Sequence, residues 1–184
     1  MDIIEEMKIK GYKFDRCLTD EEIANIEQIY NIKFPKTLIE FYKKGLPIDF
    51  GFINWRDTSE ENIENIKKIL YYPINSLLYL IENDSYWVED WPVFETIEER
   101  KQYFIETMKN EPTPIPIYKN RYILSSDKEE NPAVLSFAGR DIIVYGSNLQ
   151  DYLEKEFLGK TGPTYNESDY GKWAEIMDSY DYTL

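Results

Sequence analysis

At the segment "NEPTPIP", residues 110–116, the apolar residues of this chain change their spacing, and that change constrains the fold more than any other feature. Upstream, they recur every three or four positions behind helix-start signals. Thr19 with Glu22 has the spacing of a capping box and is followed by Ile23, Ile26 and Ile29. "FPKTLIEFYKKG" puts Pro35 at a helix start and Gly45 just past its end, with Leu38, Phe41 and Tyr42 on the inner face. Ser59 caps a helix bearing Ile63, Ile66 and Leu70, which Pro73 is expected to break before a second stripe of Ile74, Leu77, Leu78 and Ile81. Thr96 and Glu99 open another helix, with Phe104, Ile105 and Met108 inward. Downstream, "IPIYKN", "RYILSS", "NPAVLSFAG" and "RDIIVYG" are short β-branched or aromatic runs separated by Asn, Asp, Gly and Pro, with Gly139 suited to a hairpin turn. A further helix, a loop over "GKTGPTYNESDYGKW" and a short terminal helix complete the pattern. Helices first and strands later define an α+β domain, with an antiparallel or mixed sheet covered by several helices.

The 184 residues suffice for one domain with a substantial core, and 16 % of them are aromatic. Their formal net charge of −14 argues against nucleic acid and anionic membrane surfaces as partners, because both demand phosphate neutralisation by Lys and Arg. It favours a basic partner by electrostatic steering, although excess carboxylates also serve solubility alone. No run approaches the roughly 20 apolar residues of a membrane span. The opening "MDIIEEMKIKGYKF" is acidic and interrupted, unlike a signal peptide, and the single Cys17 cannot form an internal disulfide. A cytoplasmic location is expected.

Catalysis leaves little trace. The chain has no histidine, which removes the commonest general base and every Ser-His or Cys-His pairing. Zinc ligands are lacking as well, and no segment has the spacing of a calcium loop, so no metal, cofactor or catalytic residue is assigned. Asp49-Phe50-Gly51 matches a kinase magnesium triplet but lacks the glycine-rich and His-Arg-Asp loops that give it meaning. Asn166-Glu167-Ser168 fits a glycosylation sequon that a cytoplasmic protein does not use. "IIVYGSNLQDYLEKEF", residues 142–157, has the strand–glycine–helix order of a phosphate loop. It holds one glycine, Gly146, where such a loop needs several, and Asp151 and Glu154 would repel a phosphate. Ser147 or Asn148 is expected to cap the helix instead, with Leu149, Tyr152, Leu153 and Phe157 on its inner face.

That strand-to-capped-helix ending, with "LTDEEIANIEQIYNIKFPKTLIEFY", "GFINWRDTSEENIENIKKIL" and "IPIYKNRYILSS…NPAVLSF", resembles the SUKH superfamily, the Smi/Knr cell-wall-regulator homology group. "IENDSYWVEDW" is similar to the Trp-rich segment of its bacterial branch, while Asn120 stands where many relatives carry a histidine. The resemblance implies a SUKH-like domain over residues 1–159, with 160–184 as a C-terminal extension packed on it. It also implies a binding module rather than an enzyme: an immunity protein that neutralises a toxin, in many cases a nuclease, by direct contact. A nuclease is basic where it holds its substrate, so a basic toxin domain is the expected partner. The alternative within the resemblance is a regulatory or scaffold protein, as for the fungal relatives. A carboxylate-based hydrolase is a third class, without a motif to support it.

The stretch "NDSYWVEDWPVFE" interleaves aromatic residues with acids, the composition of a hot spot for a basic protein. Asp84, Tyr86, Glu89 and Asp90 are the candidate partner contacts, whereas Trp87, Trp91 and Trp55 are assigned to the core.

Overall fold

A computed structural model describes residues 2–164 and 168–179. Asn166 and Glu167 of the sequon lie outside the described residues, as does the end of the C-terminal extension. The architecture is α+β. In chain order come helix α1 (Ile3–Ile9), strand β1 (Phe14–Asp15), helices α2 (Asp20–Tyr30) and α3 (Lys36–Tyr42), strand β2 (Leu46–Pro47) and helices α4 (Glu60–Asn83) and α5 (Ile97–Met108). Strands β3 (Thr113–Tyr118), β4 (Arg121–Ser125), β5 (Val134–Ala138) and β6 (Asp141–Gly146) follow, then helices α6 (Leu149–Leu158) and α7 (Lys172–Asp178).

Strands β3 to β6 form an antiparallel meander in that order, and β1 pairs with β2 in a separate two-stranded ladder. The meander is apolar on both faces. Register sets Ile115 opposite Ile123 and Ile123 opposite Val134, whereas Tyr122 faces Leu135. Because side chains alternate along a strand, the Ile115–Ile123–Val134 row points one way and the Tyr122–Leu135 row the other. The first row joins a core with Ile4, Met7, Leu38, Tyr42, Trp55, Tyr152 and Phe157. The second joins one with Phe104, Trp91, Trp173 and Ile176. Double coverage explains why β5 is buried continuously from Val134 to Phe137 rather than at alternate residues. Pro114 and Pro116 lie on β3, an edge strand, where a missing N–H leaves no central ladder bond unmade. Gly139 takes φ +63° in the hairpin between β5 and β6, as its place before Arg140 predicts.

Both capping boxes form. Thr19 accepts from Glu22 N while Glu22 Oε2 accepts from Thr19 N at 2.9 Å, and Thr96 and Glu99 repeat the pattern. Ser59 accepts from Asn62 N at 3.3 Å. Pro35 is the N-cap of α3, which ends at Tyr42 with Lys43 as its C-cap, so Gly45 lies two residues beyond the stop.

Pro73 does not break the helix. Helix α4 continues through it to Asn83, contributing Ile66 and Leu70 to the first core and Leu77 and Ile81 to the second. An interior proline removes the hydrogen bond to the carbonyl four residues back, here that of Ile69. The Tyr122 hydroxyl, arriving from β4, donates to the Ile69 carbonyl oxygen at 2.9 Å and replaces the missing partner. Tertiary structure thus rescues a position that local propensity condemns.

Two other features depart from the pattern-based reading. Ile105 is 37 % exposed while Phe104 and Met108 are buried, so the inner face of α5 is narrower than its apolar content suggests. Residues 3–9 form a helix capped by Asp2, whose carboxylate accepts from Ile4 N at 3.0 Å. Two turns are marginal alone; burial of Ile4 and Met7 supports them.

Candidate partner-binding surface

The segment joining α4 to α5 carries every candidate contact. After α4 ends, Ser85 turns the chain in the left-handed region at φ +55°, and Tyr86 N donates to Leu80 O at 3.2 Å. The turn drives Tyr86 inward: the ring is 8 % exposed, and its hydroxyl meets Ser179 Oγ at 2.8 Å. Burial pushes the phenol upward, opposed by the Ser179 hydrogen bond. Tyr86 is thus an anchor, and Asp84, Glu89 and Asp90 are the candidates that the structure leaves exposed. None of those three forms an ion pair among the described residues.

The aromatic residues hold this acidic segment in place. Trp91 is 3 % exposed and donates its indole N–H to Glu175 Oε2 on α7 at 2.6 Å. The hydrogen bond from Lys172, then that from Trp91, holds the Glu175 carboxyl below the usual carboxylate range. Trp87 donates to the Pro92 carbonyl at 3.1 Å and packs on Trp91 and Tyr103 with ring centroids 5.2 and 5.9 Å apart. Phe94 closes the group at 5.4 Å from Tyr103. Trp55, in the other core, is 1 % exposed and donates to Tyr42 Oη at 3.0 Å. Trp55 and Trp91 are therefore core, while Trp87 is half-buried at the rim.

Between Glu82 and Glu99 the chain has seven carboxylates and no Lys or Arg. Two are engaged internally, Glu82 with Lys101 at 3.1 Å and Glu99 in its cap. The remainder are exposed, as is Val93 at 91 %, next to the half-buried Phe94. An exposed apolar residue in an acidic segment backed by packed aromatic rings suits a complementary basic protein surface.

The chemistry-bearing stretches elsewhere resolve into structure. Asp49 Oδ2 accepts from Lys13 N at 2.6 Å, and Gly51 turns at φ +101°. In the 142–157 stretch, Asn148 caps α6 by accepting from Asp151 N at 2.9 Å, and Asp151 Oδ2 accepts from Ser147 N at 2.8 Å and Lys155 Nζ at 2.8 Å. Burial raises the Asp151 carboxyl, but the Lys155 and Ser147 hydrogen bonds outweigh it and leave it lowered. Gly146 is required by proximity: a Cβ there would lie 2.5 Å from Tyr152 Cβ and 2.7 Å from its backbone. The loop into α6 is a turn in which Ser147, Asn148 and Asp151 are engaged internally.

Among the described residues no group of three or more His, Cys, Asp or Glu could hold a metal ion, and no helix is long and apolar enough to cross a membrane. Comparison with protein families, curated proteins and solved structures finds no match. Pattern reading of the sequence passes over one polar group, centred on Arg121 of β4. Its signal is a cation two residues before Ile123, on the face of β4 that turns toward the first core.

Proposed function

We propose that this chain is a protein-binding module without catalysis of its own, and that it acts as an immunity protein masking the basic cleft of a toxin domain. The observation that carries this reading is the exposed acidic run around Val93, fixed to the core by Tyr86 and Trp91. Rigid backing lowers the ordering cost on association, and unpaired carboxylates favour encounter with a basic surface. The SUKH resemblance supplies the class of partner. Asp84, Glu89 and Asp90 make the contacts, and Tyr86 positions them.

The test is rescue. Cells expressing the toxin domains encoded beside this gene are co-supplied with the native chain or with Glu89→Lys/Asp90→Lys. The expected result is survival with the native chain and co-purification of the toxin, both weakened by the charge reversals. Survival with neither, and no co-purification of any neighbouring domain, overturns the reading.

A further inference from the structure

On the face of the meander toward α6, beyond the apolar row, Arg121 lies over the Tyr145 ring with its guanidinium carbon 3.6 Å from the centroid. Its Nη1 donates to Asn120 Oδ1 at 2.5 Å and to Ser136 Oγ at 2.9 Å. Stacking and these two bonds fix the orientation of the group. The opposite edge, formed by Nε and Nη2, makes no hydrogen bond among the described residues, and Nε is buried. This edge is the one that grips a two-oxygen anion side-on.

Two groups of α6 belong to its surroundings. Glu156 Oε2 stands 3.9 Å from Nε, too far for a hydrogen bond. One helical turn earlier, Tyr152 is fully buried and its hydroxyl has no partner. The Tyr152 phenol lies within electrostatic reach of Glu156, Arg121, Tyr118 and Tyr145. Buried polar groups are nearly always satisfied, so two orphans beside one preorganised guanidinium are unusual. The Arg121 and Glu156 side chains keep 14 % and 24 % of their surface exposed.

We propose that the free edge of Arg121, with the Tyr152 hydroxyl, is a recognition site for a carboxylate borne by another molecule, which displaces Glu156 on binding. Nε and Nη2 donate to its two oxygens, and Tyr152 donates a third bond to one of them. Glu156, on α6 at 3.9 Å, keeps the guanidinium compensated when the site is empty. The site is separate from the acidic run between α4 and α5 and stands whether or not that run binds a toxin.

The chain has five arginines, so the Nε–Hε resonances of ¹⁵N-labelled protein are few enough to follow singly. Sodium acetate is titrated against sodium chloride at constant ionic strength. The expected result is a saturable shift of the Arg121 signal alone. Glu156→Ala should tighten binding by about tenfold and Tyr152→Phe weaken it by about threefold to tenfold. A short peptide with a free C-terminus, compared with its amidated form, separates the sources. Much tighter binding than acetate points to a protein terminus, and equal binding to a free small acid. No saturable shift in the native chain overturns the proposal. So does binding by Glu156→Ala alone, which makes Glu156 the resident partner of Arg121.

Discussion

The Ile69 carbonyl, freed by Pro73 and claimed by Tyr122, is a single-atom rescue that can be measured. Tyr122→Phe leaves a carbonyl unsatisfied in the middle of α4 and should cost about 1–2 kcal/mol in urea unfolding. In a Pro73→Ala background an amide N–H is available again at that position, so the same substitution should cost markedly less. Equal costs in both backgrounds would show that the hydroxyl does not serve this carbonyl. Gly146 makes a different demand, since any side chain there runs into the Tyr152 backbone. Gly146→Ala is expected to destabilise by about 1–3 kcal/mol as an overpacking change, read as a lower midpoint at unchanged slope. At both positions the residue is set by a neighbour on another element, and no local pattern announces it.

Helix boundaries were legible because each cap is a local transaction. Thr19–Glu22, Ser59 and Thr96–Glu99 all lie where their spacing places them, and the strands of the meander follow the punctuation of Asn, Asp, Gly and Pro. Helix α1 was not legible, since its two turns depend on burying Ile4 and Met7. Nor was the continuity of α4, which depends on a tyrosine from another element. Of the candidate contacts, composition singled out a segment but could not separate the inward Tyr86 from the outward Asp84, Glu89 and Asp90. The left-handed turn at Ser85 decides that. Helix α2 also shows how a cap becomes a hub. Glu22 Oε1 accepts from Arg56 Nε and from Arg16 Nη2, both at 2.9 Å, while its other oxygen serves the capping box and Arg16 Nη1. The hydrogen bond from Arg56, then that from Arg16, lowers the carboxyl to about 2. A depressed carboxyl contributes stability that is complete above its unfolded pKa and disappears as pH falls through the folded one. Stability should therefore decline between about pH 4.5 and pH 2 partly through Glu22. Glu22→Ala should cost about 2 kcal/mol at pH 7 and flatten that acid limb in urea titrations. An unaltered limb would remove Glu22 from the account.

Over the whole molecule, a charge of −14 acts at distances no single contact reaches. Association with the proposed basic partner should slow steeply as salt rises, because steering is screened within about 8 Å at physiological ionic strength. Replacing Glu89 and Asp90 by Lys should lower the on-rate in low salt and reduce its salt dependence, as stopped-flow measurement would show. Unchanged on-rates would place the interface elsewhere. The two cores are built on opposite faces of one sheet, yet α4 lends side chains to both, on either side of Pro73. That helix and the sheet are shared by both interiors, so the two are expected to melt together. Trp55 reports on one interior and Trp91 and Trp173 on the other. Their fluorescence transitions should superimpose, leaving the chain no half-folded resting place in which a protease could catch it.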